Sequence, residues 1–238
     1  MNKYLLLITL TILTFNISCK KNLKSSNDEL TVTDIDGNIY NTTTIGEQVW
    51  MAENLKVTHY RNGDAITNVT DNNKWFNVTT GAYCRYDNDG IDIDTYGMLY
   101  NWYAVNENRN IAPEGWDIPT DAEWKQLEMY LGMSQTEVEN IEWRGTDEGG
   151  KLKVSGTTYW VSPNEGATNE SGLSALPGGY RHNEIGVFGD VGRGGYWWSS
   201  TEGDSTRAWH RHLGNAHTGI FRRDDEKQNG FSVRCIKN

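Results

Sequence analysis

Basic residues are scarce in this chain of 238 residues. Its 22 lysines and arginines face 32 aspartates and glutamates, so the formal net charge is -10 at pH 7. After residue 30 the one adjacent cationic pair, Arg222-Arg223, is followed at once by acidic residues. Nucleic acid is thereby excluded as a partner, because binding it takes clustered cations. Apolar runs are lacking too. The one long run, Tyr4 to Phe15, falls short of a bilayer span. Cysteine occurs at three positions, Cys19, Cys84 and Cys235, too few for a disulfide-dense scaffold. No Gly-x-Ser-x-Gly elbow is found, and Ser199 and Ser200 have no positioned histidine visible in the sequence. Glu202 and Asp204 form a carboxylate pair of a kind that abounds by chance.

Tryptophan, tyrosine and glycine stand out instead, at 10, 12 and 25 residues. A buried aromatic removes a large apolar area from water, so a core can form with few aliphatics. Many glycines and asparagines point to tight turns rather than long helices.

The N-terminus opens with Lys3, continues with the apolar run and ends in polar residues before Cys19. Those are the proportions of an export signal. With Ser18 and Ile17 before the cysteine, the segment resembles a bacterial lipoprotein signal peptide, although Asn16 stands where leucine is usual. The resemblance implies cleavage after residue 18, a lipid on Cys19 and an outer-membrane location, facing the surface or the periplasm. A plain secretory signal would use the same apolar run. Residues 19–30 are polar and aperiodic and read as a flexible tether, leaving residues 31–238 as one domain. In an oxidising compartment Cys84 and Cys235 form a disulfide or remain two buried thiols, and both readings stay open.

In "DIDGN", Asp36-Gly37 or Gly37-Asn38 makes a hairpin turn between Thr31–Thr33 and Asn38–Thr44. The best helix follows Thr120, with Glu123 completing a capping box, Trp124, Leu127 and Leu131 at helical spacing and Gly132 ending it. Ser134 and Glu137 repeat the device. The remainder, including "GTTYWVS", "GYWWSST", "RAWHRHLG" and "HTGIFRR", is β-like and punctuated by glycine. Along "GYWWSST", Tyr196 and Trp198 share one face and Trp197 and Ser199 the other, and a strand covered on both sides could bury all three rings. The expected class is α+β, two short helices packed on antiparallel sheet.

Six ordered blocks now identify a family. "DIDGNIYNTTTIGEQVWMAENLK", "YGMLYNWYAVN", "APEGWDIPTDAEWKQLEMYLG", "NESGLSALPGGYR", "GYWWSSTE" and "NGFSVRCIKN" resemble the Fibrobacter succinogenes major paralogous domain, found in exported and surface lipoproteins. More distantly, "IPTDAEW" and "GFSVRC" resemble the C-type lectin-like fold, including its formylglycine-generating branch. That implies twisted antiparallel β-sheets with two short helices and long ordered loops. Ala112 stands where many members have a cysteine, and the catalytic cysteine pair of the formylglycine-generating enzymes has no match. Fold likeness carries no activity by itself.

Three residue sets are candidates for chemistry. A two-residue turn at Gly214-Asn215 would set His212 opposite His217, with His210 on the same face, as a zinc or copper ligand set. Asp87, Asp89, Asp92 and Asp94 in "DNDGIDIDTYG" supply the oxygens calcium needs, without EF-hand spacing. Trp75, Trp160 and Tyr180, the aromatics least obviously in a regular element, are candidate stacking surfaces for a sugar. The leading expectation is a non-catalytic, lipid-anchored envelope or surface protein. Its lectin-like domain would bind a glycan or an envelope protein. The alternative is an exported metal-dependent enzyme using His210, His212 and His217.

Overall fold

The computed structural model describes residues 31–88 and 92–238. The expected signal peptide, Cys19, the expected tether and Asp89 lie outside the described residues. In chain order the strands are β1 (Thr31–Thr33), β2 (Ile39–Ile45), β3 (Gln48–Met51), β4 (Thr67–Asn68), β5 (Ala82–Cys84), β6 (Leu99–Tyr100), β7 (Trp116–Asp117), β8 (Glu142–Arg144), β9 (Gly178–Arg181), β10 (Phe188–Val191), β11 (Gly194–Glu202), β12 (Arg207–Gly214), β13 (Ile220–Glu226) and β14 (Ile236–Lys237). The helices are α1 (Asn72–Asn77), α2 (Ile93–Tyr96), α3 (Trp102–Val105), α4 (Asp121–Leu131) and α5 (Glu148–Leu152). This is a mostly β, α+β fold of curled antiparallel sheets. One sheet runs β1-β2-β3-β14-β7, a second β10-β9-β11-β12-β13-β8, and a small third β4-β5-β6. Two pairings are parallel, β11 with β9 and β4 with β5.

The first hairpin forms where the turn signal sits. Gly37 takes φ +84°, open to glycine without strain. The Asp34 carboxylate accepts the Asp36 and Asn38 amides at 3.0 Å each and the Tyr40 hydroxyl at 2.6 Å. Helix α4 is also the one expected. Thr120 accepts the Glu123 amide, Glu123 returns to the Thr120 amide, and Gly132 closes the C-terminus at φ +128°. The second helix shrinks to one 3₁₀ turn, Glu137–Glu139. Ser134 Oγ does accept the Glu137 amide, but Glu137 Oε1 takes the Gly145 amide at 2.9 Å instead of closing a box. "GTTYWVS" is no strand: residues 156–162 bend without pairing in a ladder, held by Trp160 in the core.

Strand β11 explains the aromatic density. It is covered on both sides. Trp198 enters one apolar cluster with Trp102, Tyr100 and Phe231, while Trp197 enters another with Trp124, Trp50 and Leu213. Each indole is tied down, Trp198 Nε1 donating to the Tyr100 carbonyl and Trp197 Nε1 to Asn54 Oδ1, both at 2.9 Å. Tyr196, on the Trp198 face, stays half-buried. Between β12 and α4 lies a buried charge cluster. Arg211 bonds Glu128 at 2.6 Å and Asp121 at 2.8 Å, Arg144 bonds Glu128 and Arg222 bonds Asp121, both at 2.8 Å.

Cys84 and Cys235 are free and buried in separate clusters, so the thiol reading is the one this structure contains. Burial pushes the Cys84 thiol up to about 12 and raises Cys235 as well.

Candidate functional site

The histidine hairpin differs from its expected form. Strand β12 spans the residues expected, but β13 begins only at Ile220, and His212 pairs with Phe221 rather than His217. The connection therefore holds five residues, 215–219. Lys153 sets its shape from far along the chain, its Nζ donating to the carbonyls of Gly214, His217 and Glu165 at 3.0, 2.8 and 2.9 Å. His217 leaves the strand face and stacks on Trp143, centroids 3.7 Å apart. His212 stacks on Tyr196 at 4.1 Å. His210 is 2% exposed and packs on Phe231. Burial lowers both ring pKa values, His212 to about 4, with Asp190 opposing only in part. Among the described residues no group of three or more His, Cys, Asp or Glu side chains is placed to hold a metal ion.

In the aspartate loop, Asp92 and Asp94 are engaged in other bonds. Asp92 caps α2, accepting the Asp94 amide at 3.0 Å and the Thr95 hydroxyl at 2.7 Å. Asp94 pairs with Lys56 at 2.8 Å. Asp87 takes φ +54° in the turn before the undescribed residues. Of the sugar-stacking candidates, Trp75 and Trp160 are core, each 1% exposed. Arg181 lies 4.5 Å over the Trp75 ring, and Trp160 Nε1 donates to the Ala175 carbonyl at 3.1 Å. No ligand face remains on either.

Tyr180 is the candidate that reaches a cleft. It borders an open hollow of about 240 Å³ between β9, β11, β13 and the segment before β14. Tyr180, Tyr196 and Phe231 form its aromatic wall, and His182, Asn183, Asp225 and Asn229 its polar one. Tyr180 meets Tyr196 edge to face at 5.0 Å, and Phe231 stacks on Tyr196 at 5.3 Å. Gly189 pairs with Tyr180 across β10 and β9, and a Cβ there would lie 2.9 Å from the Tyr180 ring. Glycine thus lets that ring lie against the neighbouring strand.

The polar wall has hydrogen-bonding capacity to spare. His182 Nδ1 accepts the Glu184 amide at 3.1 Å, so the neutral ring carries its proton on Nε2. Asn229 Oδ1 accepts the Asn183 amide at 2.8 Å, which leaves its Nδ2 as a donor. Asp225 accepts the Glu226 amide at 2.8 Å and makes no ion pair among the described residues. The Tyr196 hydroxyl donates to Asp190 at 2.6 Å. Burial, with that bond, raises the Tyr196 phenol far above its usual value. By contrast a larger hollow of about 400 Å³, bordered by Glu107, Asp117 and Glu123, has its carboxylates engaged by Arg109, Asn110 and Thr120.

Sequence reasoning missed six of the seven cleft residues as ligand contacts. They come from three stretches, 180–183, Tyr196 and 225–231, that only sheet pairing brings together. Strand alternation at Tyr196, set against the buried Trp197 and Trp198, was the available signal. The family model of the Fibrobacter succinogenes major domain matches residues 43–237. No curated protein and no solved structure gives a significant match.

Proposed function

The chain belongs to the Fibrobacter succinogenes major domain family, and from that premise we propose a non-catalytic, lipid-anchored cell-envelope protein that binds a glycan in the Tyr180–Tyr196 cleft. One observation carries the reading: three aromatic rings line the same hollow as unspent donors and acceptors on Asn229, His182 and Asp225. Sugars offer both complements, C–H faces for rings and hydroxyls for amides and carboxylates. We read the fold as C-type lectin-like, on its curled sheets, short helices and long loops. The metal-dependent alternative called for His217 opposite His212, where the β12–β13 register places Phe221.

The test is a glycan array probed with the full chain in detergent, beside Tyr180→Ala and Asn229→Ala. The expected result is a restricted set of glycans whose binding both variants reduce at least about tenfold, some 1.4 kcal/mol. Binding that survives both variants would move the site elsewhere. An empty array together with a captured envelope protein that the same variants release would replace the glycan with a protein ligand.

A further inference from the structure

The unbalanced group of the cleft is Asp225. Its carboxylate is half-buried in the wall, and the only hydrogen bond it accepts among the described residues comes from the amide of the next residue. The cations flanking it on β13 and on the paired β12 are committed elsewhere, Arg222 to Asp121, Arg223 towards Glu142, Lys227 to Glu202, and Arg207 to Asp224 and Glu226. Across the β12–β13 pair its partner is Ala208, which offers nothing polar. Among the described residues no lysine or arginine lines the cleft. A second carboxylate, Asp190, approaches through the Tyr196 hydroxyl. Behind burial, the charges of Asp190 and Asp225 both raise the Tyr180 phenol, a sign of the negative field at the rings.

We infer that the cleft receives a protonated amine, carried by a glycan with a free amino group. The inference rests on the glycan reading above and narrows it. An ammonium needs an anion and gains from aromatic rings, whose quadrupoles attract cations. Tyr180, Tyr196 and Phe231 supply the rings and Asp225 the anion. In a partly desolvated hollow the charge pair is worth more than on an open surface. A neutral or N-acetylated sugar would cover the Asp225 carboxylate without supplying a counter-charge, which costs binding free energy. The net charge of -10 further favours the approach of cations.

The experiment is calorimetry on the full chain in detergent with four probes: glucosamine oligomers with free amines, the same oligomers N-acetylated, cello-oligomers and butylammonium. The expected result is that the free-amine oligomers bind at least about tenfold tighter than the other two sugars and weaken with salt. Asp225→Asn should erase that preference. Because the parent carboxylate has no cationic partner, the variant should melt at the same temperature or higher. A role in folding alone would lower it instead. Equal or tighter binding of N-acetylated or cello-oligomers overturns the amine and leaves the glycan reading intact. Butylammonium bound in an Asp225-dependent way, with no sugar bound, upholds the amine and removes the glycan. No binding by any probe overturns both.

Discussion

At the scale of single residues, the strongest constraints are buried charges. Glu128 is wholly buried between Arg144 and Arg211, and Asp121 between Arg211 and Arg222. Removing one partner of such a set strands the others without a counter-charge. Glu128→Gln should therefore cost about 3–5 kcal/mol in urea unfolding. Asp94→Asn, which breaks the exposed pair with Lys56, should leave the midpoint where it was. Titration adds a second test. His210 and His212 have folded pKa values below the unfolded 6.5, His212 at about 4. The unfolded chain then binds more protons in that window, so stability is full above pH 6.5 and falls as pH drops towards 4. Each histidine contributes a slope of up to about 1.4 kcal/mol per pH unit. Asp121 acts lower. Burial opposes its charge, but bonds from Arg222 and Arg211 outweigh that and hold it below the usual 3.8, so its contribution goes only as pH falls beneath that value. His212→Gln should flatten the melting temperature between pH 6.5 and 4 in part, His210 accounting for the remaining slope. An unchanged profile would show that His212 is not buried as neutral imidazole.

At the scale of elements, legibility followed the range of the forces involved. Helix α4 was readable because its cap, its apolar spacing and its stop all lie within residues 120–132. Thr120→Ala should cost about 1 kcal/mol, measured by thermal unfolding, by removing an acceptor for one orphan amide. Strands β11 and β12 were readable from alternation and flanking glycine. The β12–β13 connection was not, because its geometry comes from Lys153, 61 residues before Gly214 in the chain. Burial pulls the Lys153 pKa down to about 8, with the charge of Glu165 opposing only in part. Lys153→Met leaves the carbonyls of Gly214, His217 and Glu165 without their donor. Amide exchange should then rise at residues 215–219 while α4 keeps its protection. Equal exchange in both segments would mean the loop holds itself.

At the scale of the whole molecule, the sequence disclosed family and strand content but not the cleft, whose walls converge only through sheet pairing. The proposed anchoring is the reverse case, resting in the sequence on Cys19 alone. Among the described residues no helix is long and apolar enough to cross a membrane. The net charge of -10 also opposes adsorption to anionic lipid, which attracts basic segments. The attachment we propose is therefore assigned to a lipid on Cys19 and not to the domain. One acyl chain holds a protein only marginally, whereas two or more hold it stably. Cells of a Gram-negative host expressing the full chain and fed labelled palmitate should therefore label the protein and sediment it with the membranes. Cys19→Ser should abolish the label and move the chain into the soluble fraction of the envelope, with glycan binding by the domain unchanged. A Cys19→Ser protein that still sediments with membranes would reassign the anchor to an envelope partner held by the domain, and an unlabelled parent chain would reduce the N-terminus to a plain secretory signal.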